Sequence, residues 1–486
     1  MSTLRAVVVV LLAASPPLLC ISCSETGGGA DGWQPPRIVR IEGAEAAYSM
    51  SPMYGAMFGG AVDRAAKGDE DQAQDKDTTY VLVRPGELVG VMPMGATFPY
   101  LTSDGTILKV QADENSLRLA GRVAALSLGD GKDEMWAWLR QASAADLAGV
   151  RLIQVQALAP SAEADEAAIA ARRDALARLA KANPDVGVLV GSEVPLSAVL
   201  DVFDPPWVSL EGGRELTPDD HDRLASEPNL HTLTLGGDQE EGLGFLARLP
   251  HLRILVLGDW NGPSDDQPLP TLPTMPSLRR LIVFGAKMKD LAPVGDQPNL
   301  RELAIVGAEA LTDVGGLGKM PGLMALSVMN CENVTDLSPL TGLKQLRWVV
   351  LPPATTQEQF EAICRQHPKL VVLQAIGCEK ITNLSPAANL KRLQALCVMS
   401  TPPLDPLVKA GSLKLLGVHM SKDQAEEGRE AAEQAVVAIM TANPDLAVVE
   451  CGPLCLGSGY ILLLVPMTVV AWGLARRRRD RQAGKR

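Results

Sequence analysis

Aromatic residues are scarce here: Phe, Trp and Tyr make up 4% of 486 residues, against 47% hydrophobic residues in all. A core built from this chain therefore rests on Leu, Val, Ala and Ile. Histidines are few as well. His221, His231, His251, His367 and His419 show no metal-ligand spacing, and none pairs locally with a nucleophilic Ser or Cys. A phosphate-binding glycine loop, a GxSxG elbow and kinase signatures are all missing. These gaps speak against the common hydrolases, metalloenzymes and phosphotransferases, and no cofactor is implied. "DDHD" (219–222) follows Thr217-Pro218, so it reads as the acidic first turn of a helix, and "GDGKDE" (129–134) reads as a turn. A basic surplus is missing too. The formal charge is −12, and the last eleven residues alone contribute +6, which leaves residues 1–475 at −18. A body that acidic lacks the basic stripe that nucleic acid needs.

Long apolar runs stand at the two ends. "MSTLRAVVVVLLAASPPLLCISC" has one Arg, an apolar run and small residues before Cys23, the pattern of a secretory signal. Its Ile21-Ser22-Cys23 end resembles a bacterial lipoprotein signal, which implies lipidation of Cys23. Ordinary cleavage and an uncleaved anchor are the alternatives. At the other end, residues 456–475 are twenty in a row without charge. At 1.5 Å per residue that length just crosses a bilayer. Tyr460 and Trp472 sit near its ends, where aromatic belts lie, and Arg476, Arg477, Arg478 and Arg479 would keep the tail cytoplasmic. "CGPLCLGSGY…ARRRR" also resembles the sorting tails of Gram-negative surface proteins. Cys451 and Cys455 flank the membrane entry, as a disulfide, a processing or acylation site, or free thiols.

Between the ends the chain repeats. "LHTLTLGGD" begins at Leu230, "LRILVLGDW" at Leu252, "LRRLIVFGA" at Leu278 and "LRELAIVGA" at Leu300. "LMALSVMNC" follows from Leu323, "LRWVVLPPA" from Leu346, "LVVLQAIGC" from Leu370, "LQALCVMST" from Leu393 and "LKLLGVHMS" from Leu413. The starts differ by 20 to 26 residues. A unit that short cannot bury its own apolar face, so neighbours must stack into one continuous core. LxxLx(L/V/I) at this period resembles the leucine-rich repeat family over residues 207–453, and "VTDLSPL" is similar to bacterial internalin-like repeats. The resemblance implies an α/β solenoid: a horseshoe with a parallel inner sheet and an outer face of loops and helices. "AALSLG", "GVRLIQVQA", "VGVLVGS" and "WVSLEGG" extend the array upstream as degenerate units.

Helices are expected in three units. Thr355 with Glu358 and Ser421 with Gln424 have capping-box spacing, and residues 162–190 end in the same "ANPD" before a valine-rich strand. Residues 37–117 fall outside the period. "TTYVLVRPGELVGVMP" and "TILKVQA" read as a small β-meander, either a cap over the first repeat or a separate module. The division expected is a signal (1–23), a glycine-rich linker (24–36), a β-rich module (37–117) and degenerate repeats with helices (118–229). Leucine-rich repeats (230–453), a transmembrane helix (456–475) and a basic tail (476–486) follow.

Cys331 and Cys378 open two copies of one motif, "CENVTDLSPL" and "CEKITNLSP". They occupy one rung position two units apart, roughly 9.6 Å for strands spaced by about 4.8 Å. A disulfide needs less than about 7 Å, so these thiols cannot bond to each other. Where the family usually has Asn, this rung reads Asp238, Trp260, Ala286, Ala308, Cys331, Ala354, Cys378, Thr401 and Ser421. Small residues and Cys resemble the cysteine-containing repeat subclass, which implies a buried thiol.

Positions three, five and seven of each unit point to the concave face. Ile254, Val256, Ile282, Phe284, Val306, Met329, Trp348, Val350, Val372, Ile376, Met399 and Leu415 are among them, with Arg280 and Glu302 as the charged exceptions. Three readings compete for this strip. It reflects strand propensity, or it binds a partner with Trp348 as anchor, or residues 37–117 fold back over it. The function expected is a non-enzymatic, membrane-tethered protein of the cell envelope, with its body outside and its C-terminus in the cytoplasm. It would bind a protein or peptide through the concave sheet, with the membrane as its other partner and no nucleic acid. Alternatives are an adhesion or structural protein whose array is a spacer and, more remotely, an enzyme within residues 37–117.

Overall fold

Each LxxLx(L/V/I) unit gives one short strand, and the strands stack in chain order. The computed structural model describes the strands lying between residues 37 and 119, and residues 122–452 apart from 130–132, 159–165, 211–213, 237–241, 259–268, 400–401 and 420–425. The expected signal, the span at 456–475 and the tail lie outside the described residues, as do Cys23, Cys455 and the side chain of Cys451. Among the described residues, no helix is long and apolar enough to cross a membrane.

Eight strands precede the array: β1 Arg37–Glu42, β2 Ala46–Tyr48, β3 Met57–Ala61, β4 Thr78–Val83, β5 Val89–Gly90, β6 Thr97–Leu101, β7 Ile107–Ala112 and β8 Ser116–Leu119. The array itself begins with β9 Arg122–Leu128, β10 Leu152–Val155, β11 Gly187–Val190, β12 Trp207–Leu210, β13 Thr232–Leu235, β14 Ile254–Leu257 and β15 Arg280–Phe284. It continues with β16 Glu302–Val306, β17 Ala325–Met329, β18 Trp348–Val350, β19 Val372–Ala375, β20 Ala395–Met399, β21 Leu415–His419 and β22 Ala447–Gly452. From β9 to β22 every neighbour pairs in parallel and in order, fourteen strands of one parallel solenoid sheet. The four degenerate segments upstream of residue 230 form β9 to β12 of this sheet.

The leucines at positions one, four and six explain the stack. In the unit of β15, Leu278, Leu281 and Val283 are fully buried, and their counterparts Leu300, Leu303 and Ile305 continue the same core. Truncating such a leucine to alanine costs about 2–5 kcal/mol. After the strand the chain must turn sharply. Gly285, Gly307, Asn330 and Gly377, at one equivalent position, adopt positive φ there. Non-glycine side chains strain in that region, and Asn tolerates it best. The turn sends the next residue inward: Ala286, Ala308, Cys331 and Cys378 are all buried.

On the outer side, Asx residues open several of the short turns. Asp290 Oδ1 accepts from the Ala292 N–H at 2.8 Å, Asp336 Oδ1 from Ser338 at 2.8 Å, and Asn383 Oδ1 from Ser385 at 2.9 Å. Helices also lie on this side: α1 Asp133–Gln141, α2 Ala144–Leu147, α3 Glu166–Ala182, α4 Leu196–Leu200, α5 Pro218–Ala225, α6 Gln357–Gln366, α7 Ser385–Ala388 and α8 Glu426–Ala442, with capping boxes opening α2, α5 and α6. The capping box of α6 sits one residue later than its spacing suggested, at Thr356 and Gln359. Thr355 is buried instead and donates its hydroxyl to the Pro352 carbonyl at 2.6 Å. Two threonines in a row offered two registers, and the one that buries Phe360 and Ile363 won. The box at Ser421 and Gln424 lies outside the described residues.

The N-terminal strands attach to both ends of the array. β8 pairs antiparallel with β9, the first repeat, while β3 pairs antiparallel with β22, the last. β2–β3 and β5 to β8 are antiparallel runs, and β1 pairs with β4 in a sheet of its own. β2 and β5 lie beside each other, so the large sheet returns on itself as a ring.

Candidate functional site

The side chains that the solenoid core does not use collect on the inner face of the sheet. In register they form rows: Ile254, Arg280, Glu302, Ala325, Trp348, Val372, Ala395, Leu415 and Ala447 face one another across successive strands. The twelve concave residues read from the sequence lie on or at the end of these strands. Val256, Ile282, Val306, Trp348, Val350, Val372 and Leu415 join one apolar cluster, separate from the solenoid core. Ile254, Phe284, Met329 and Ile376 pack against it half-buried, and Met399 is buried.

The face is not open. Trp348 and Ile282 are 1% exposed, and Val372 and Leu415 are 0% exposed. A row of side chains on the concave side of an uncovered sheet keeps much of its surface in water. The chain therefore covers this face itself.

The cover leaves polar groups without partners. Ser327 Oγ and Gln374 Nε2 are buried two strands apart on the same row, and neither has a hydrogen-bond partner among the described residues. Thr234 Oγ1, on the same row towards the N-terminal end, and Trp207 Nε1, on the row of Ile254 and Trp348, are in the same state. Each such group costs about 1–3 kcal/mol. Sequence reading missed these residues because it searched the inner positions for an apolar strip. Their signal was available: Ser, Thr and Gln at positions five of LxxLxL units. Arg280 and Glu302, the charged pair, meet across β15 and β16 with Nε to Oε2 at 2.6 Å.

The other candidates fall into structural roles. Cys331 donates its thiol to the Ile305 carbonyl at 3.7 Å, and Cys378 to the Pro352 carbonyl at 3.3 Å, each in the preceding unit. Both are free, and burial pushes both thiols up to about 12. Burial of this kind holds both thiols in the protonated, weakly nucleophilic form at neutral pH. His221 of the "DDHD" stretch is buried with its ring stacked on Phe245, centroids 4.1 Å apart. Asp220 there serves as the third residue of a capping box opened by Thr217. No cluster of three metal-ligating side chains occurs among the described residues.

No family model matches this sequence, and no curated protein matches it. Solved structures do resemble the fold. An internalin of Listeria monocytogenes is 15% identical over 65% of this chain and 93% of its own, with a TM-score of 0.38. A leucine-rich-repeat protein of Leptospira interrogans is 12% identical over 62% and 90%, TM-score 0.27. A Toll–Spätzle complex of Drosophila is 11% identical over 75% and 58%, TM-score 0.36. The fold stands on the pairings of the sheet itself rather than on these likenesses.

Proposed function

We propose that this is a non-enzymatic recognition protein of the cell envelope, tethered to the membrane at its C-terminus, which binds a protein or peptide through the inner face of its sheet. Cys23 is lipidated in this reading, and Arg476 to Arg479 hold the tail in the cytoplasm. The observation that carries it is the second apolar cluster with unsatisfied Ser327 and Gln374 set among its members. The solenoid stacks without that cluster. A polypeptide supplies both things the face lacks: apolar side chains for Trp348 and its neighbours, and carbonyl acceptors for the two orphaned donors.

The N-terminal strands are the resting cover. They are anchored at both ends of the array, through β8 on β9 and β3 on β22. A cover that leaves donors unpaired binds less well than a ligand that pairs them, so exchange for the partner is downhill.

The test uses the full chain as bait in detergent-solubilised membranes. Phe284 and Ile376 are half-buried at the inner face, so their replacement by Ser leaves the solenoid core intact. Loss of a captured protein with unchanged circular dichroism supports recognition. Unchanged capture, together with sensitivity to deletion of one whole repeat, favours the spacer reading.

A further inference from the structure

Position two of each unit lies just before the strand at one edge of the sheet, and six of the nine units from Leu230 onward carry His, Arg or Lys there. His231, Arg253, Arg279, Arg301, Arg347 and Lys414 occupy this column. The backbone ladder runs through it: the Arg253 carbonyl accepts from Arg279 N at 2.8 Å, and that of Arg279 from Arg301 N at 2.8 Å. His231, Arg253, Arg279 and Arg301 are thus each one strand spacing apart, about 4.8 Å, while Met324 stands between Arg301 and Arg347, and Val371 and Gln394 between Arg347 and Lys414. Crowding shows in their electrostatics. Burial, then Arg301 and Arg253, hold the Arg279 guanidinium below its ordinary value. Burial, Arg253 and His251 do the same to His231.

Towards the C-terminal end this edge opens into a cavity of about 600 Å³. Arg347, Lys369, Lys391, Arg392 and Lys414 line it, against one acid among the described residues, Asp445. Lys369, Lys391, Arg392 and Lys414 are exposed. Five cations around one carboxylate give the cavity +4, on a chain whose net charge is −12. Like charges held this close repel, and an anion relieves them.

We infer that this edge cavity binds an acid-rich segment of a polypeptide partner. The lining decides between polyanions. Gln394, Asp445, Val371 and Leu413 stand among the cations, offering an amide, a carboxylate and two aliphatic walls. A polypeptide presents carboxylates, N–H donors and apolar groups together, and its N–H groups suit Asp445 and Gln394. A uniform polysaccharide or polyphosphate chain meets Asp445 as a repulsive charge. Arginine forks match carboxylates in two-point geometry, and a chain of net charge −12 disfavours the approach of such a segment elsewhere.

This inference deepens the recognition reading by giving the partner an acidic stretch, yet its test does not depend on the inner face. The full chain in detergent is titrated with fluorescein-labelled hexaglutamate, with heparin and with inorganic phosphate, at two salt concentrations. Hexaglutamate should bind in low salt and weaken as salt rises. The double variant Lys391→Glu/Lys414→Glu should weaken it by about tenfold. Lys380→Glu, an exposed cation beyond the opposite end of its strand, should change it by less than about twofold. Melting temperature checks that all variants fold. Equal weakening by both variants, no weakening, or binding of heparin or phosphate in place of hexaglutamate overturns the inference. So does a dimer that the double variant abolishes, because the edge then serves a second acidic copy of this chain. Oxidation footprints at the inner face should be the same in the double variant, which separates this failure from failure of the recognition reading.

Discussion

Arg280 Nε lies 2.6 Å from Glu302 Oε2 on adjoining strands, with both side chains largely shut off from water at 13% and 6% exposure. A pair so placed offsets the cost of burying each charge, but removing one partner strands the other. Arg280→Met should destabilise the protein by about 3–5 kcal/mol in denaturant unfolding. Arg280→Met combined with Glu302→Leu should recover most of that loss. Additive losses in the double variant would show that the two charges are held by other groups.

Gly187 and Trp207 occupy facing positions on β11 and β12. A methyl group on Gly187 would overlap the indole six-membered ring, whose side chain is 3% exposed. Gly187→Ala should therefore cost about 1–3 kcal/mol by overpacking. The penalty should vanish in a Trp207→Leu background, as thermal unfolding can show.

Glu227 supplies a pH dependence. Burial raises its carboxyl to about 7, opposed by the Arg223 guanidinium and reinforced by Asp204 and Asp201. The folded value exceeds the ordinary 4.5, so protonation favours the folded state. The contribution is complete below pH 4.5 and lost as pH rises to about 7, by about 3 kcal/mol in all. Glu227→Gln should remove this fall, leaving the variant the more stable of the two at pH 8. A wild-type-minus-variant difference that is flat from pH 4.5 to 8 would refute the assignment.

The thiols of Cys331, Cys364 and Cys378 are pushed up to about 12 by burial. Native protein at pH 8 should leave all three unmodified by iodoacetamide, as peptide mass spectrometry can read. The same three should react fully once guanidinium unfolds the chain. Labelling of Cys331 or Cys378 in the native state would mean that the rung opens.

Much of this was legible in the residues. Leucines at a fixed period name their own strands, because a repeat that cannot bury itself can only stack. The two-unit spacing of Cys331 and Cys378 ruled out their pairing. What stayed hidden was long-range. Nothing in residues 57–61 signals that they pair with Ala447–Gly452 at the far end, since backbone pairing leaves no periodic mark. For the inner face the sequence left three readings open, a fold-back of residues 37–117 among them, and strand pattern alone does not choose between them. Position two also escaped notice, because basic residues scattered over units about 23 residues apart become a column only once the strands are aligned.

The central claim is that the inner face is a recognition surface held closed by the N-terminal strands. Gly59 sits in β3 between Ala46 of β2 and Glu450 of β22, where proline cannot be accommodated without breaking pairing on one side. Hydroxyl-radical footprinting of the full chain, read by mass spectrometry at Trp348, Met329 and Met399, compares wild type with Gly59→Pro. Slow oxidation of Trp348 in the wild type, rising towards that of a free tryptophan in Gly59→Pro at unchanged circular dichroism, is the result predicted. Rapid oxidation of Trp348 in the wild type, or protection indifferent to Gly59→Pro, contradicts it.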